Sequence, residues 1–170
     1  MLYNVQFGLS HLLQFIGFSG WVGQDVDFAN NRLGRGARIE YGGTIRPTDH
    51  LEIGVNSALR WLTVPFNGRN DRLFTAQAER LTTRYSFNAK TFIRVILQNQ
   101  RTNRDQGLYT SAVDQHSGSL ATQLLWAYKL NWQTVMYAGY GDLQEAHTIN
   151  GDLLPSNRQF FVKVSYAFQQ

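Results

Sequence analysis

The chain has 170 residues, enough for one domain with a sizeable core, and it contains no cysteine. The absence of cysteine excludes disulfides, thiolate zinc sites and thiol nucleophiles. The net charge of +4 comes from arginines scattered singly along the sequence, so nucleic acid is not an expected partner.

Aromatic residues make up 14% of the chain and charged residues only 16%, against about a quarter in ordinary soluble domains. No stretch reaches the roughly 18 apolar residues that a transmembrane helix needs. The first ten residues, MLYNVQFGLS, lack the basic region and cleavage site of a signal peptide. Any export signal is therefore expected to have been removed or to lie upstream.

Apolar residues recur with period two along most of the chain, which is typical of β-strands with one buried face. Residues 1–10 alternate, and residues 12–22 are strand-like with weaker alternation. Residues 73–87 change parity, and a β-bulge near Glu79 would reconcile their two halves. Residues 132–141 are apolar on both faces. The clearest alternation lies in residues 36–46, 51–61, 92–100, 119–128 and 160–168.

The connections between these segments alternate between short and long from Gly36 onward. The short turns are PTDH, FNAK and YKLN, and the long polar loops are residues 65–72, 102–116 and 142–157. Outer-membrane barrels have this asymmetry, with tight periplasmic turns and longer extracellular loops. We therefore expect residues 1–170 to be one all-β domain, an antiparallel up-and-down transmembrane β-barrel of about eight strands.

The strand count bears on whether such a barrel is complete. A separate strand at residues 1–9 would make nine strands, and single-chain bacterial barrels close with even numbers. The chain would then be the C-terminal portion of a larger barrel. One continuous strand over residues 1–22 would instead give eight strands and a closed small barrel.

Charged residues lie opposite the apolar positions of the alternating strands. An Arg or Lys facing lipid at mid-depth costs about 2–4 kcal/mol, so these side chains are expected to face a lumen. They could line a channel or bind a plug, but mixed signs on adjacent strands favour a mutually neutralising ladder. The expected lumen-facing residues are Arg38, Glu40, Arg46, Glu52, Arg60, Arg84, Arg94 and Lys163.

Aromatic residues fall near the expected strand ends, where amphipathic rings favour the two membrane interfaces. On the short-turn side these are Tyr85, Phe87, Tyr128, Trp132, Tyr166 and Phe168. On the long-loop side they are Trp61, Phe74, Tyr140 and Phe160. The alternative is that these rings form the core of a soluble β-sandwich.

Candidate catalytic chemistry is confined to Asp114, His116 and Ser117, which carry the groups of an acid–His–Ser relay. These residues are almost consecutive in a loop, whereas a relay normally draws its members from separate elements. The histidines lack metal-motif spacing, and the acids Asp25, Asp27, Asp142, Glu145 and Asp152, expected in loops, are irregularly spaced. We therefore expect no enzyme activity, no metal and no cofactor.

Several stretches resemble a known family, among them RPTDHL, AERLTTRYSFNAKTFIRVILQ, VMYAGYGD and NRQFFVKVSYAF. They are similar to the C-terminal barrel of an uncharacterised envelope family in which a domain like carbohydrate-binding family 9 precedes an outer-membrane barrel. The resemblance covers residues 36–168 and implies a bacterial outer-membrane location, with lipid and lipopolysaccharide as partners. It also implies glycan binding through the N-terminal domain. The last strand resembles the signal read by barrel-assembly machinery, with Tyr166 and Phe168 as its aromatic pair.

Three functions follow from these expectations. The first is an outer-membrane barrel with a structural, transport or surface-anchoring role. The second is a soluble, lectin-like β-sandwich that binds a ligand, because sandwiches also alternate. The third is a barrel enzyme that uses Asp114, His116 and Ser117.

Overall fold

The computed structural model describes residues 2–8, 10–146 and 152–168, and within them nine antiparallel strands form one sheet in the order of the sequence. The strands are β1 (Leu2–Phe7), β2 (Leu13–Asp27), β3 (Arg32–Thr48), β4 (Leu51–Phe66), β5 (Arg69–Ser86), β6 (Thr91–Arg104), β7 (His116–Lys129), β8 (Thr134–Ala146) and β9 (Leu153–Tyr166). A 3₁₀ turn, Gln106–Leu108, follows β6. In this part of the chain no helix is long and apolar enough to cross a membrane.

The prediction of an all-β, antiparallel up-and-down fold is confirmed, and eight strands lie between Leu13 and Tyr166. The N-terminal segment is not one continuous strand, because β1 ends at Phe7 and pairs back onto residues 16–21 of β2. The described strands therefore number nine. Among them β1 pairs only with β2 and β9 only with β8, so the sheet is open.

The predicted strict alternation of short and long connections is wrong. Residues 65–72 are not a loop, because Asn67 and Gly68 adopt positive φ angles of 46° and 78° and reverse the chain in two residues. Strands β4 and β5 therefore continue to Phe66 and Arg69. This turn lies at the same end of the sheet as the long connection over residues 105–115, which we call the long-loop end. The opposite, short-turn end carries the connections over residues 49–50, 87–90 and 130–133.

The predicted β-bulge near Glu79 is also wrong. The register between β5 and both of its neighbours runs unbroken through Glu79, and the irregularity lies at Leu73, opposite Leu62 and Thr63. Ala76 and Ala78 fall on the same face as the charged residues, where small side chains fit between larger polar ones. The extra residue at the bulge lets Leu73 turn into a buried cluster.

The pairing register gives the sheet two chemically distinct faces. The apolar face carries, for example, Ile39, Leu59, Val95 and Leu124, and the polar face carries the charged residues of the neighbouring positions. The sheet curls towards the polar face, where Asp25 of β2 reaches Arg60 of β4 across the intervening β3.

Glycine at one position of β3 makes this curl possible. A Cβ atom at Gly36 would lie 2.9 Å from the Asp25 carboxylate and 3.1 Å from the Trp21 ring. Side chains of β2 and β4 can therefore meet above β3 only because β3 has no side chain there. Among the described residues the buried hydrophobic cluster is small: Leu62, Val64, Leu73 and Leu108, with Phe74 and Tyr109 against it. Most large apolar side chains of the apolar face remain exposed.

Candidate functional site

The polar face brings together the residues that the sequence predicted to line a lumen. In the register, Arg38 lies opposite Arg60, Glu52 opposite Arg84, Arg84 opposite Arg94, and Lys163 opposite Tyr137. Glu40 shares this face, and Arg46 contacts it through its bond to Glu52. All eight side chains therefore lie on one side of the sheet.

The expected neutralising ladder forms on β2, β3 and β4. Arg46 Nε donates to the Glu52 carboxylate over 2.8 Å, and Arg38 pairs with Glu40. Arg60 Nη2 donates to Asp25 Oδ2 over 2.9 Å, while its guanidinium lies 5.6 Å from the centre of the Phe74 ring. Each of these arginines thus has a carboxylate partner, although Arg38 and Arg60 lie opposite each other.

The ladder does not extend to β5, β6 and β9. Among the described residues, Arg84, Arg94 and Lys163 have no acidic partner within 4 Å. Arg84 instead stacks on Phe92, with its guanidinium 4.2 Å from the ring centre. On the polar face, the charges of β2, β3 and β4 are therefore neutralised, whereas Arg84, Arg94 and Lys163 leave β5, β6 and β9 cationic.

A groove of about 380 Å³ crosses the polar face from β1 to β6. Small residues form part of its floor, among them Gly17, Gly42 and Ala58. Its polar lining includes Asn4, Gln6, Ser19, Glu40, Asn56, Arg80 and Gln98. Phe15, Phe18 and Tyr41 also line the groove, and most of its accessible surface is apolar, so the amides and hydroxyls could bond only part of a solute.

The connection over residues 105–115, which we call the capping loop, folds onto the polar face at the long-loop end. Leu108 packs against Leu62, Val64 and Leu73, and its carbonyl oxygen accepts a hydrogen bond from Arg32 Nη2. The Thr110 amide and hydroxyl both donate to Asn30 Oδ1, over 2.9 and 2.8 Å. Apolar packing thus holds the loop against β4 and β5, and hydrogen bonds join it to Arg32 of β3 and to Asn30 in the turn between β2 and β3.

Asp27 fixes the positions of Asn30 and Arg32, the two residues that bond to the capping loop. It is only 3% exposed and accepts hydrogen bonds from Arg32 Nε over 2.8 Å and from Asn30 Nδ2 over 2.6 Å. Burial alone would raise the pKa of Asp27, but these hydrogen bonds and the Arg32 charge lower it below its usual value. Asp27 thus holds the two side chains that bind the capping loop. In the loop itself, burial raises the pKa of Tyr109.

The contacts of Asp27, Asn30 and Arg32 with the capping loop were not predicted from the sequence. Asp25 and Asp27 were expected in a loop, and Asp142 and Glu145 in another, but all four lie within strands β2 and β8. The alternating positions of Asp25 and Asp27 in 22–27 were a usable signal of a strand. Nothing in the sequence could indicate that Leu108 packs against Leu62, Val64 and Leu73 of β4 and β5.

The predicted interface aromatics lie mainly in pairs at the short-turn end. Tyr85 contacts Phe87 edge-on with ring centres 5.0 Å apart, and Tyr166 contacts Phe168 in the same way at 4.7 Å. Tyr128 stacks on Trp126 at 6.0 Å. Tyr85, Tyr128 and Tyr166 lie on the apolar face, and Trp132 is exposed in the neighbouring turn.

The aromatics expected at the long-loop end are placed differently. Trp61 lies on the apolar face of β4, under the Arg72 guanidinium. Phe74 lies on the polar face. It follows the bulge at Leu73, and from there on every second residue of β5, up to Arg84, faces the same side as Phe74. Tyr140 and Phe160 pair in the middle of β8 and β9 rather than at their ends, because both strands extend well into the expected loop.

The candidate relay residues are not brought together. His116 Nδ1 lies 2.9 Å from Asn103 Oδ1, while the Ser117 hydroxyl accepts a hydrogen bond from Arg104 over 2.8 Å. His116 and Ser117 are successive residues of β7, so their side chains point to opposite faces of the sheet. Among the described residues, no group of three His, Asp or Glu side chains could hold a metal ion.

Comparison with known proteins gives no relative from which a role could be transferred. No family model matches the chain, and neither a curated protein nor a solved structure is similar to it.

Proposed function

We propose that this chain forms part of the wall of a bacterial outer-membrane β-barrel, with the apolar face towards lipid and the polar face towards the interior. One observation carries the proposal: large apolar side chains are exposed on one face of a single sheet, and most of the charged side chains lie on its other face. Phe160, Val162 and Val164 of β9 are 72%, 63% and 60% exposed. A soluble β-sandwich would cover such a face with a second sheet, and the described residues form only one.

The height of the apolar band supports this orientation. Outward apolar positions run from Leu51 to Trp61 on β4 and from Leu120 to Tyr128 on β7, close to the ~9–11 residues that a tilted strand needs to cross a bilayer. Towards the long-loop end of β5 and β8 the same face becomes polar, with Asn99 bonded to Glu79 and Arg158 bonded to Asp142. Glu79 lies opposite Ser57 of β4, so the apolar band is shorter on β5 than on β4. The aromatic pairs at the short-turn end would border the band on its other side.

The role that we assign is structural, transport or surface anchoring, with no catalytic step. The resemblance to the envelope family would add lipopolysaccharide and the barrel-assembly machinery as partners, the latter through the strand that contains Tyr166. Glycans would be partners only through the N-terminal domain of that family. The groove on the polar face would open into the barrel interior.

The barrel that we propose contains strands beyond the nine described. In an up-and-down sheet of nine strands, β1 and β9 run in the same direction, so they cannot pair antiparallel with each other. Antiparallel closure therefore needs an odd number of further strands. An open edge cannot remain in hydrocarbon, where its amide and carbonyl groups would have no partners.

Membrane extraction tests the proposal directly. The complete barrel that contains these nine strands, expressed with an export signal in a Gram-negative host, should stay with the outer-membrane fraction after a carbonate wash and should require detergent for release. Unboiled protein should migrate differently from boiled protein in a denaturing gel. Recovery of folded protein in the soluble periplasmic fraction would refute the assignment.

The two faces give a second test, because Arg94 and Val95 are neighbours on β6 that point to opposite sides. Val95→Arg should lower the free energy of unfolding in lipid vesicles by about 2–4 kcal/mol, since it turns a cation towards hydrocarbon. Arg94→Val should have a much smaller effect, because it changes only the polar face. Equal losses for the two variants would contradict the lipid-facing assignment.

A further inference from the structure

Three arginines of β5 and β6 form a cationic strip on the polar face at the short-turn end: Arg80, Arg84 and Arg94. Arg84 and Arg94 lie directly opposite each other in the register, and Arg80 lies opposite Gln98, four residues along β5 from Arg84. Side chains directly opposite on neighbouring strands have Cβ atoms about 4.5–5.5 Å apart. The sheet thus brings together charges that are scattered in the sequence.

No carboxylate neutralises this strip within the described residues. Glu52 lies opposite Arg84 on the other side, but its Oε2 atom accepts both hydrogen bonds from Arg46, over 2.8 and 2.5 Å. Glu79 is next to Arg80 in the chain but points to the apolar face. Two like charges placed opposite each other destabilise a sheet unless an anion joins them.

The Arg84 guanidinium is already oriented. It stacks on the Phe92 ring at 4.2 Å, and Phe92 precedes Arg94 by two residues on the same face of β6. Stacking occupies the flat side of the guanidinium and leaves its N–H edge free to donate. A guanidinium edge matches two oxygens of a carboxylate or a phosphate, so the strip has the donors to hold such a group from two strands.

We propose that Arg84 and Arg94, with Arg80 beside them, bind a small polyanion that carries two or more phosphate or carboxylate groups. The unpaired guanidinium groups would supply the charge, and the adjacent groove, which Arg80 and Gln98 also line, would admit the rest of the molecule. The site follows from the register of β5 and β6. It does not require the polar face to line a membrane channel.

Calorimetric titration of the folded full chain, in detergent at low ionic strength, tests the site. The probes are inorganic pyrophosphate and citrate, so the two arms distinguish phosphate from carboxylate recognition. We expect saturable binding of at least one probe. Arg84→Gln and Arg94→Gln should each weaken the dissociation constant by about tenfold, because each removes charge-assisted hydrogen bonds.

Arg101→Gln is the matched control, because Arg101 lies on β6 but faces the apolar side. It removes the same charge, and binding should stay within about twofold of wild type, since a charge on the far face contributes only a screened interaction. Arg94→Lys keeps the charge but loses the two-pronged geometry and should give an intermediate loss. It also provides a folded variant should a glutamine variant fail to fold.

Two results would overturn the site: no saturable binding of either probe by the wild-type chain, or an equal loss of affinity in Arg101→Gln and Arg94→Gln. The first would mean that the strip holds no anion, and the second that binding reflects net charge alone. Preferential binding of pyrophosphate or of citrate would support the site and name the anion class.

Discussion

On β2, β3 and β4 the cations of the polar face have carboxylate partners, and a loop covers the long-loop end. Among the residues that the structure describes, no carboxylate pairs with the cationic strip of β5 and β6. The difference comes from where the acids lie. Asp25, Asp27, Glu40 and Glu52 occupy the polar face of the first region. From Phe74 to Ser86 and along β6, the polar face carries no acid. Alternation determines which face a charge takes, but the neutrality of a region depends on which strands supply the acids.

Truncating Leu73, which packs against Leu108 of the capping loop, should have the largest effect on stability. We call the cluster of Leu62, Val64, Leu73 and Leu108, together with the loop over it, the capped region. Leu73→Ala empties a position that is 1% exposed, and we expect the free energy of unfolding to fall by about 2–5 kcal/mol. Leu81→Ala is the matched control, because Leu81 is 36% exposed on the apolar face of the same strand. Urea unfolding of both variants in detergent measures the difference. Similar losses would show that the capped region has no dry core.

Asp27→Asn should cause the second-largest loss of stability. It leaves Arg32 with its carbonyl contact to Leu108 but without a carboxylate, and we expect a loss of about 1–3 kcal/mol. Asp25→Asn is the control in the same strand, because its partner Arg60 is 41% exposed and water screens that pair. Proteolysis within residues 105–115 should accelerate in Asp27→Asn and not in Asp25→Asn. Equal protection of the loop in both variants would exclude Asp27 as its anchor.

The face on which a strand residue lies could be predicted from the sequence. Period-two alternation assigned Ile39, Leu59 and Val95 to one face and Arg94 to the other, because a strand forces successive side chains to opposite sides. The two-residue turn at Asn67 and Gly68 was missed although Asn-Gly is a local hairpin signal. Alternation on either side of it was too weak to extend the strands.

Contacts between distant strands could not be predicted in this way. The pairing of Asp25 with Arg60 depends on the curl above Gly36, and Leu108 packs on a cluster that includes Leu73, the extra residue of the bulge. Neither the curl nor the bulge has a periodic signature. The cationic strip was hidden for a similar reason, because Arg84 and Arg94 become neighbours only through the register of β5 with β6.

Acidification should weaken the capped region selectively. The folded-state pKa of Asp27 lies below the ordinary value of 3.8, so the carboxylate contributes stability at every pH above that value. This contribution is lost as the pH falls through the folded-state pKa. Unfolding measured between about pH 5 and pH 2 should therefore converge for wild type and Asp27→Asn, since only wild type loses an ionised Asp27. A constant gap between the two would contradict this linkage.

Removing one arginine charge should have the smallest effect on stability, and its sign should differ between the cationic strip and the strands with paired charges. Arg94→Gln should raise the free energy of unfolding by about 0.2–1 kcal/mol, because it relieves the repulsion between Arg84 and Arg94 in the absence of an anion and leaves the stacking of Arg84 on Phe92 in place. Arg46→Gln should instead lower it by at most about 1 kcal/mol, because Arg46 pairs with Glu52 and the pair is partly exposed. Added salt screens both interactions, so the two effects should shrink together. Thermal unfolding of both variants at low and high salt measures them. If Arg94→Gln is destabilising at low salt and in the absence of polyanions, the strip is neutralised within the protein, and the contrast between the two regions does not hold.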